Sequence, residues 1–284
     1  MYYDSWNAYV RLLRLNKPIG ILLLWYPTAW ALWMANQGFP SIDLLMIFLL
    51  GTVFMRSAGC VINDIADRHI DRHVARTQFR PLTAGEVSLS EAFILLFILL
   101  CASLLLLLKL PINCFYFAVI SVLITFLYPF CKRFLNAPQL ILGLAFSMGI
   151  PMAFIASGKN LNSDFIVLFL INFSWIIAYD TMYAMTDKAD DLKIGVKSTA
   201  IYFASYDRLI IALLLIFLHS LWLVWAINKN AEWFFYLLWC TAAGILTYQL
   251  KLIYARIPKN CFKAFLVSGY YGLVMWFAVG LALI

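Results

Sequence analysis

Long apolar segments dominate this chain and restrict the folds that are open to it. Nine of them, at about 20 residues per membrane crossing, cover residues 19–35, 41–62, 91–109, 112–130, 138–157, 165–184, 208–227, 231–250 and 264–283. In lipid, every backbone polar group needs a partner within the protein, so runs of this length predict α-helices. The sequence therefore predicts an all-α integral membrane protein, a bundle of nine transmembrane helices in a single domain over residues 1–284.

The composition excludes several other classes of protein. Apolar residues make up 64% of the chain and charged residues only 12%, whereas soluble domains are roughly half apolar and about a quarter charged. A soluble domain, a disulfide scaffold and a disordered chain are all excluded. The net charge of +7 does not indicate a nucleic-acid partner, because basic loops that fix orientation account for it in a membrane protein.

The distribution of Lys and Arg predicts the orientation. With nine spans, the loops on the N-terminal side of the membrane contain 17 of the 21 basic residues, and the opposite loops contain three. Arg56, inside the second span, completes the count. Because cytoplasmic loops are enriched in Lys and Arg, the N-terminus is predicted to be cytoplasmic.

Acidic residues form two clusters, each at the end of a long apolar span on the predicted cytoplasmic side. The first acidic arm consists of Asn63, Asp64, Asp67 and Asp71. The second acidic arm consists of Asp180, Asp187, Asp190 and Asp191. Together they hold seven of the 14 acids in the chain, which is far from an even distribution.

The spacing within each arm predicts a metal site. Members of the first arm recur at i, i+4 and i+8 and those of the second at i, i+7 and i+11, so each set forms one stripe on a helix. A single stripe of this kind is usually a solvated charged face. Two stripes on the same side instead favour Mg²⁺, a hard ion that proteins hold with a few carboxylates plus substrate phosphates.

Basic residues accompany both arms: Arg68, Arg72, Arg76 and Arg80 beside the first, and Lys188, Lys193 and Lys197 beside the second. The guanidinium groups of arginine and the ammonium groups of lysine commonly bind phosphate. Cytoplasmic loops need basic residues in any case, so both interpretations stay open for each residue.

Several segments resemble the UbiA superfamily of membrane-embedded aromatic prenyltransferases. The first acidic arm lies in 59–71 (GCVINDIADRHID), followed by 76–82 (RTQFRPL), and the second lies in 179–199 (YDTMYAMTDKADDLKIGVKST). Further similar segments are 17–20 (KPIG), 25–33 (WYPTAWALW), 128–133 (YPFCKR) and 150–154 (IPMAF). The second signature and the N-terminal segments are most similar to members that act on 4-hydroxybenzoate in ubiquinone biosynthesis.

The resemblance implies a central cavity with both arms at its cytoplasmic end. It also implies Mg²⁺ as cofactor, polyprenyl diphosphate as prenyl donor and 4-hydroxybenzoate as acceptor, prenylated ortho to its hydroxyl with release of diphosphate. The expected location is the lipid bilayer of a bacterial inner membrane, with no required protein partner.

Roles for individual residues follow from that expected reaction. The predicted Mg²⁺ ligands are Asn63, Asp67, Asp71, Asp187 and Asp191, of which the four aspartates are also the predicted catalytic residues. Asp64 and Asp180 are predicted helpers in substrate binding, and Arg68 and Lys193 are predicted phosphate contacts. Arg133 is predicted to hold the acceptor carboxylate, although an ordinary cytoplasmic arginine is an equal alternative. Asp187 or Asp191 is the candidate base for the phenol.

Other functions remain open at this stage. The chain could prenylate another aromatic acceptor. Intramembrane charges also occur in transporters of anionic substrates, although transporter sites favour the middle of the bilayer. A non-catalytic subunit that binds quinone would not need seven carboxylates in two stripes.

Overall fold

The computed structural model describes residues 2–283, in which all regular elements are helical. The helices are α1 (Tyr2–Leu12), α2 (Ile19–Asn36), α3 (Ile42–Asp67), α4 (Leu89–Leu107), α5 (Ile112–Phe134), α6 (Gln139–Ser147), α7 (Gly149–Ala156), α8 (Ser163–Ile194), α9 (Thr199–Tyr202), α10 (Asp207–Asn228), α11 (Trp233–Ile253) and α12 (Pro258–Ala282). Two short 3₁₀ turns, Asp71–His73 and Ala204–Tyr206, complete the set.

The helices agree with the predicted spans. Eight described segments are long and apolar enough to cross a membrane, if α6 and α7 are counted as one. The remaining predicted span, 19–35, coincides with the 18-residue α2, most of which is buried among the other helices. The prediction of an all-α bundle is confirmed, and the chain is an integral membrane protein.

Local sequence signals set several of the helix ends. Ser88 and Glu91 form a reciprocal capping box at the start of α4, which satisfies backbone donors that the first turn leaves free. The Asn162 side chain accepts a hydrogen bond from Phe165 N at the start of α8. At the other end of α8, Gly195 adopts a left-handed conformation with φ +74°, which a glycine adopts without steric cost.

The structure corrects three details of the predicted helices. The predicted span 138–157 is divided at Met148 into α6 and α7, because Pro151 lacks an N–H and its ring crowds the carbonyl four residues earlier, at Ser147. The helix predicted to end at residue 184 continues to Ile194. A further short helix, α1, precedes the first span.

The core is asymmetric. Its largest buried side chains lie where α2, α8, α10 and α12 meet, and they include Trp30, Trp175, Trp222 and Tyr271. By contrast, only two residues of α4 and three residues of α5 are buried within the bundle. Apolar side chains cover the exposed surfaces of these two helices, which is the pattern of helices that face lipid.

Candidate functional site

A polar cavity of about 790 Å³ lies at the ends of α3, α5 and α8. Its wall includes all four residues of the first acidic arm, together with Asp180, Asp187 and Asp191 of the second. The two arms are more than 100 residues apart in sequence, so the fold itself brings them to one cavity. This is the juxtaposition that the spacing of the acids predicts.

An apolar cavity of about 400 Å³ adjoins the polar one and is lined by α3, α4, α5 and the α6–α7 pair. Five residues line both cavities and mark their junction: Arg56, Gly59, Thr125, Ala145 and Phe146. A ligand with a charged head and a long apolar chain can therefore occupy both cavities at once.

Basic side chains neutralise the first acidic arm. Asp64, whose side chain is 1% exposed, accepts two hydrogen bonds of 2.8 Å from Arg14 Nη2. Arg80 Nη1 lies 3.0 Å from Asp64 Oδ1 and 2.7 Å from Asp71 Oδ2, which joins these two acids into one buried network. Buried charges need such partners, because desolvation is costly.

Lys132, at the end of α5, contacts the remaining members of the first arm. Its Nζ donates to Asn63 Oδ1 at 2.9 Å and to Asp67 Oδ2 at 3.2 Å. The same ammonium group lies 5.0 Å from the centre of the Tyr128 ring. Lys132 thereby holds the end of α5 against the end of α3.

The second acidic arm is contacted by the segment that follows α3. Arg76 Nε lies 3.0 Å from Asp187 Oδ1 and 3.1 Å from Oδ2, and Arg76 Nη2 lies 2.6 Å from Oδ2. Ala75 N also donates to Asp190 Oδ2 at 3.3 Å. These contacts connect the two arms across the mouth of the cavity.

The geometry of the first arm differs from a continuous helical stripe. α3 ends at Asp67, and Asp71 begins a separate 3₁₀ turn. Burial raises the pKa of Asp71 above its ordinary value, the guanidinium of Arg80 opposes this effect, and the carboxylates of Asp64 and Asp67 reinforce it. In the second arm, all four acids lie on α8, because the helix continues ten residues beyond its predicted end at residue 184.

Eight of the ten predicted site residues line the polar cavity, and two do not. Those in its wall are Asn63, Asp64, Asp67, Asp71, Arg133, Asp180, Asp187 and Asp191. Arg68 instead donates to Ile65 O at 3.0 Å. The side chain of Lys193 is 75% exposed, and its Nζ lies 3.4 Å from Asp190. Both are directed away from the cavity by these local contacts.

Arg133 and Arg56 occupy contrasting environments. Arg133 is exposed at the end of α5, where its Nη2 donates to Ala66 O at 3.0 Å. Arg56 lies within α3 at the junction of the two cavities, with its guanidinium 5.5 Å from the centre of the Phe146 ring. Its Nε is buried without a hydrogen-bond partner, and no ion pair with Arg56 is found among residues 6–283, whose side chains are described.

The sequence contained a signal for Arg56, because it is the one Lys or Arg in the interior of a predicted span, whereas Lys109 and Arg208 are at span ends. Charged residues in the membrane are costly and commonly functional. The structure also explains Gly20, in the KPIG segment. A Cβ at Gly20 would lie 2.5 Å from Arg56 Nε and 2.6 Å from Nη2, so the missing side chain provides the space for the guanidinium.

The oxygen-rich wall suits Mg²⁺ when a substrate phosphate supplies further ligands. Among the side chains that the structure describes, those of residues 6–283, no three of His, Cys, Asp or Glu are grouped closely enough to hold a metal ion by themselves. The donors are instead carboxylates and one amide, divided between two arms. This arrangement fits Mg²⁺, which is usually held by one or two carboxylates plus phosphate oxygens rather than by a closed protein cage.

Comparison with known proteins agrees with this geometry. Residues 24–278 match the model of the UbiA prenyltransferase family. The chain is 99% identical over 279 residues, 98% of its length and 99% of the relative's, to a 4-hydroxybenzoate octaprenyltransferase of Legionella pneumophila (strain Corby). It is 50% identical over 275 residues to the 4-hydroxybenzoate octaprenyltransferase of Psychromonas ingrahamii, which covers 95% of this chain and 94% of that protein.

Solved structures share the fold at low sequence identity. A UbiA homologue from Aeropyrum pernix K1 superposes with a TM-score of 0.79 at 18% identity, covering 92% of this chain and 96% of that one. A UbiA homologue from Archaeoglobus fulgidus bound to DMAPP and Mg²⁺ gives a TM-score of 0.70 at 20% identity, covering 96% and 98%. The family predicted from the motifs is confirmed: the chain belongs to the UbiA prenyltransferase family.

Proposed function

We propose that this protein transfers a polyprenyl group from polyprenyl diphosphate to the ring of 4-hydroxybenzoate, ortho to the hydroxyl, in ubiquinone biosynthesis. The observation that carries the proposal is the pair of joined cavities, one lined by two acidic arms and basic side chains and the other apolar. The names of the relatives support the acceptor and give an octaprenyl chain for the donor. One domain over residues 1–284 supplies the whole site.

The diphosphate of the donor belongs at the mouth of the polar cavity. Asn63, Asp67, Asp71, Asp187 and Asp191 would hold Mg²⁺, with Asp64 and Asp180 as helpers. When bound, Mg²⁺ stabilises the negative charge that develops on the leaving diphosphate. Among the basic side chains, Arg76 and Lys132 are the phosphate contacts that the cavity wall supports best, in place of Arg68 and Lys193.

The prenyl chain belongs in the apolar cavity. The allylic C–O bond of the donor lies between the diphosphate and the chain, so bond cleavage takes place near the junction of the two cavities. Apolar walls exclude the water that would otherwise capture an allylic cation. The Phe146 ring at the junction provides an aromatic face of the kind that attracts cations.

The acceptor carboxylate belongs on Arg56. Arg56 is half-buried and its Nε is buried without a hydrogen-bond partner, so it favours an anionic oxygen, because a charge-assisted hydrogen bond is strong in a site with little water. Arg133, the residue predicted from sequence, already donates to the Ala66 carbonyl and is exposed. We therefore assign the carboxylate to Arg56 and leave Arg133 as a contact at the cavity wall.

Proton transfer completes the reaction. After the allylic C–O bond breaks, the ring carbon ortho to the phenolate forms the new C–C bond with the allylic cation, and the proton on that carbon moves to the phenolate oxygen, which restores aromaticity. A carboxylate close to the phenol favours its ionisation by accepting the hydroxyl proton. Asp187 and Asp191, at the end of α8, remain the candidates for this base.

The orientation follows from the basic loops. The 17 to 3 distribution of Lys and Arg supports a cytoplasmic N-terminus, and both acidic arms lie on that side. We propose that the protein resides in the bacterial inner membrane with the site open to the cytoplasm. There, the diphosphate group of the donor and the 4-hydroxybenzoate are both accessible.

The test is direct product detection. Protein purified into lipid is given 4-hydroxybenzoate and a short prenyl diphosphate, with Mg²⁺ or with EDTA, and mass spectrometry detects prenylated hydroxybenzoate. Product that forms only with Mg²⁺ is the expected result. If folded protein forms no product with this acceptor but prenylates another phenol, the acceptor is wrong. If no donor and acceptor react, counterflow of a labelled anion tests the transporter alternative.

A further inference from the structure

Two basic side chains, Arg76 and Lys132, contact the same oxygens that the proposed function assigns to Mg²⁺. Both oxygens of Asp187 accept hydrogen bonds from Arg76. The oxygens of Asn63 and Asp67 accept hydrogen bonds from Lys132. These two side chains thus contact three of the five proposed metal ligands, and a fourth, Asp71, is paired with Arg80.

A metal ion and a basic side chain compete for such oxygens. Two positive charges a few ångströms apart repel strongly away from bulk water, and an arginine does not relieve the repulsion by losing its proton. Mg²⁺ can therefore take Asp187 as a ligand only when Arg76 moves to another anionic partner. A diphosphate supplies that partner, because guanidinium groups bind phosphate oxygens through two parallel hydrogen bonds.

We infer that Arg76 makes the binding of Mg²⁺ and the binding of diphosphate mutually dependent, by exchanging its ion pair with Asp187 for one with the diphosphate. The inference rests on the proposed function, since it assumes that both ligands share this cavity. Lys132 has the same effect on the first arm, because its ammonium group must leave Asn63 and Asp67 before Mg²⁺ can bind them. Coupling of this kind is reciprocal, so each ligand strengthens the binding of the other by the same factor.

Arg76 has the freedom that such an exchange requires. It lies in the irregular segment between α3 and α4, and its side chain is 32% exposed. Its guanidinium lies 4.6 Å from the centre of the Tyr183 ring, which also lines the cavity. Arg80 is different, because it is fixed between two buried carboxylates, Asp64 and Asp71.

The experiment measures binding rather than turnover. The full chain in lipid nanodiscs is titrated with Mg²⁺ by calorimetry, with and without inorganic pyrophosphate. A metal buffer sets the concentration of free Mg²⁺ at each step. Arg76→Gln is compared with Arg72→Gln, which removes the same charge from the same segment at an exposed position that does not line the cavity. Arg76→Lys keeps the positive charge, so it provides a second test if Arg76→Gln does not fold.

The wild type should bind Mg²⁺ about 5- to 150-fold more tightly with pyrophosphate, the usual range of coupling between two sites. Arg76→Gln should bind Mg²⁺ alone at least as tightly as the wild type and lose most of this enhancement. Arg72→Gln should match the wild type, and Arg76→Lys should retain part of the coupling.

Two results would overturn the inference. If Arg76→Gln keeps the full enhancement, or weakens binding of Mg²⁺ alone more than Arg72→Gln does, Arg76 does not exchange partners. If the folded wild type binds no Mg²⁺ even with pyrophosphate, the proposed function fails and the inference fails with it. The first pair of outcomes leaves the proposed function intact.

Discussion

A single methyl group at Gly20 tests whether Arg56 holds the acceptor. In Gly20→Ala, the added Cβ would lie 2.5 Å from Arg56 Nε and 2.9 Å from Cζ, closer than real contacts allow. The guanidinium is the end of a flexible side chain, so it moves aside and the helices need not. The fold should survive while the charged group is displaced from the junction of the cavities.

The size of the effect follows from the lost contact. A hydrogen bond to a charged group contributes about 1.5–3 kcal/mol. At about 1.36 kcal/mol for each factor of ten, displacement of the guanidinium should lower kcat/KM for 4-hydroxybenzoate by about 10- to 150-fold. The donor diphosphate is bound elsewhere in the cavity, so the KM for prenyl diphosphate should not change.

The assay measures initial rates in lipid, with each substrate varied at saturating levels of the other. Gly51→Ala is the matched control, because Gly51 also lies in a membrane helix and lines the apolar cavity, but its added Cβ would meet nothing within 4 Å. Both substitutions replace glycine by alanine within a helix, so both raise the helix propensity by a similar amount. Arg56→Gln provides the direct comparison.

Three results would refute this reasoning in different ways. If Gly20→Ala and Arg56→Gln both keep the kcat/KM of Gly51→Ala, Arg56 does not bind the acceptor. If Arg56→Gln alone loses activity, the methyl group does not displace the guanidinium. If the donor KM rises in place of the acceptor KM, Arg56 acts on the diphosphate.

Four further outcomes are expected. Arg56→Met should raise the apparent Tm in detergent while abolishing acceptor binding, because a half-buried cation with an unpartnered buried Nε costs stability. Asp67→Ala should abolish prenyl transfer by mass spectrometry, and full activity would remove it from the proposed metal ligands. Gly272→Ala should lower the apparent Tm, since its Cβ would collide with the Tyr26 ring and overpacking costs about 1–3 kcal/mol; Gly244→Ala, with open space around it, is its control. Asp207→Asn should destabilise the fold by about 3 kcal/mol, because its carboxylate is fully buried and 2.7 Å from Arg256 Nη2; an unchanged Tm would show that this pair contributes little.

Features set by local sequence were predictable. Long apolar runs specify membrane helices because the bilayer leaves the backbone no other partner, and eight of the nine predicted spans each coincide with one helix, while 138–157 is divided into α6 and α7. The spacing of Asp180, Asp187 and Asp191 predicted one stripe because α8 is continuous through all three. The motifs predicted the family for the same reason, since each motif is a short contiguous segment.

Features set by contacts between distant segments were not predictable. The pair of Arg76 and Asp187 joins residues 111 positions apart, and no periodicity reports on such a contact. The environment of Arg56 depends on Gly20 in another helix. The first arm shows the limit of helical periodicity, since α3 ends at Asp67 and Asp71 reaches the cavity from a turn.

The arginines after α3 show why charge counts alone do not identify a binding site. Arg68, Arg72, Arg76 and Arg80 recur every four residues, a spacing that would place them on one face of a helix. Because the segment is irregular, they are directed to four environments: a carbonyl at the end of α3, solvent, the second acidic arm and the buried first arm. All four contribute equally to the excess of basic residues that sets orientation, yet only Arg76 and Arg80 line the cavity. Orientation in the membrane and recognition of phosphate are therefore not competing explanations for these residues: the first depends on how many charges the segment carries, and the second on where the fold directs each one.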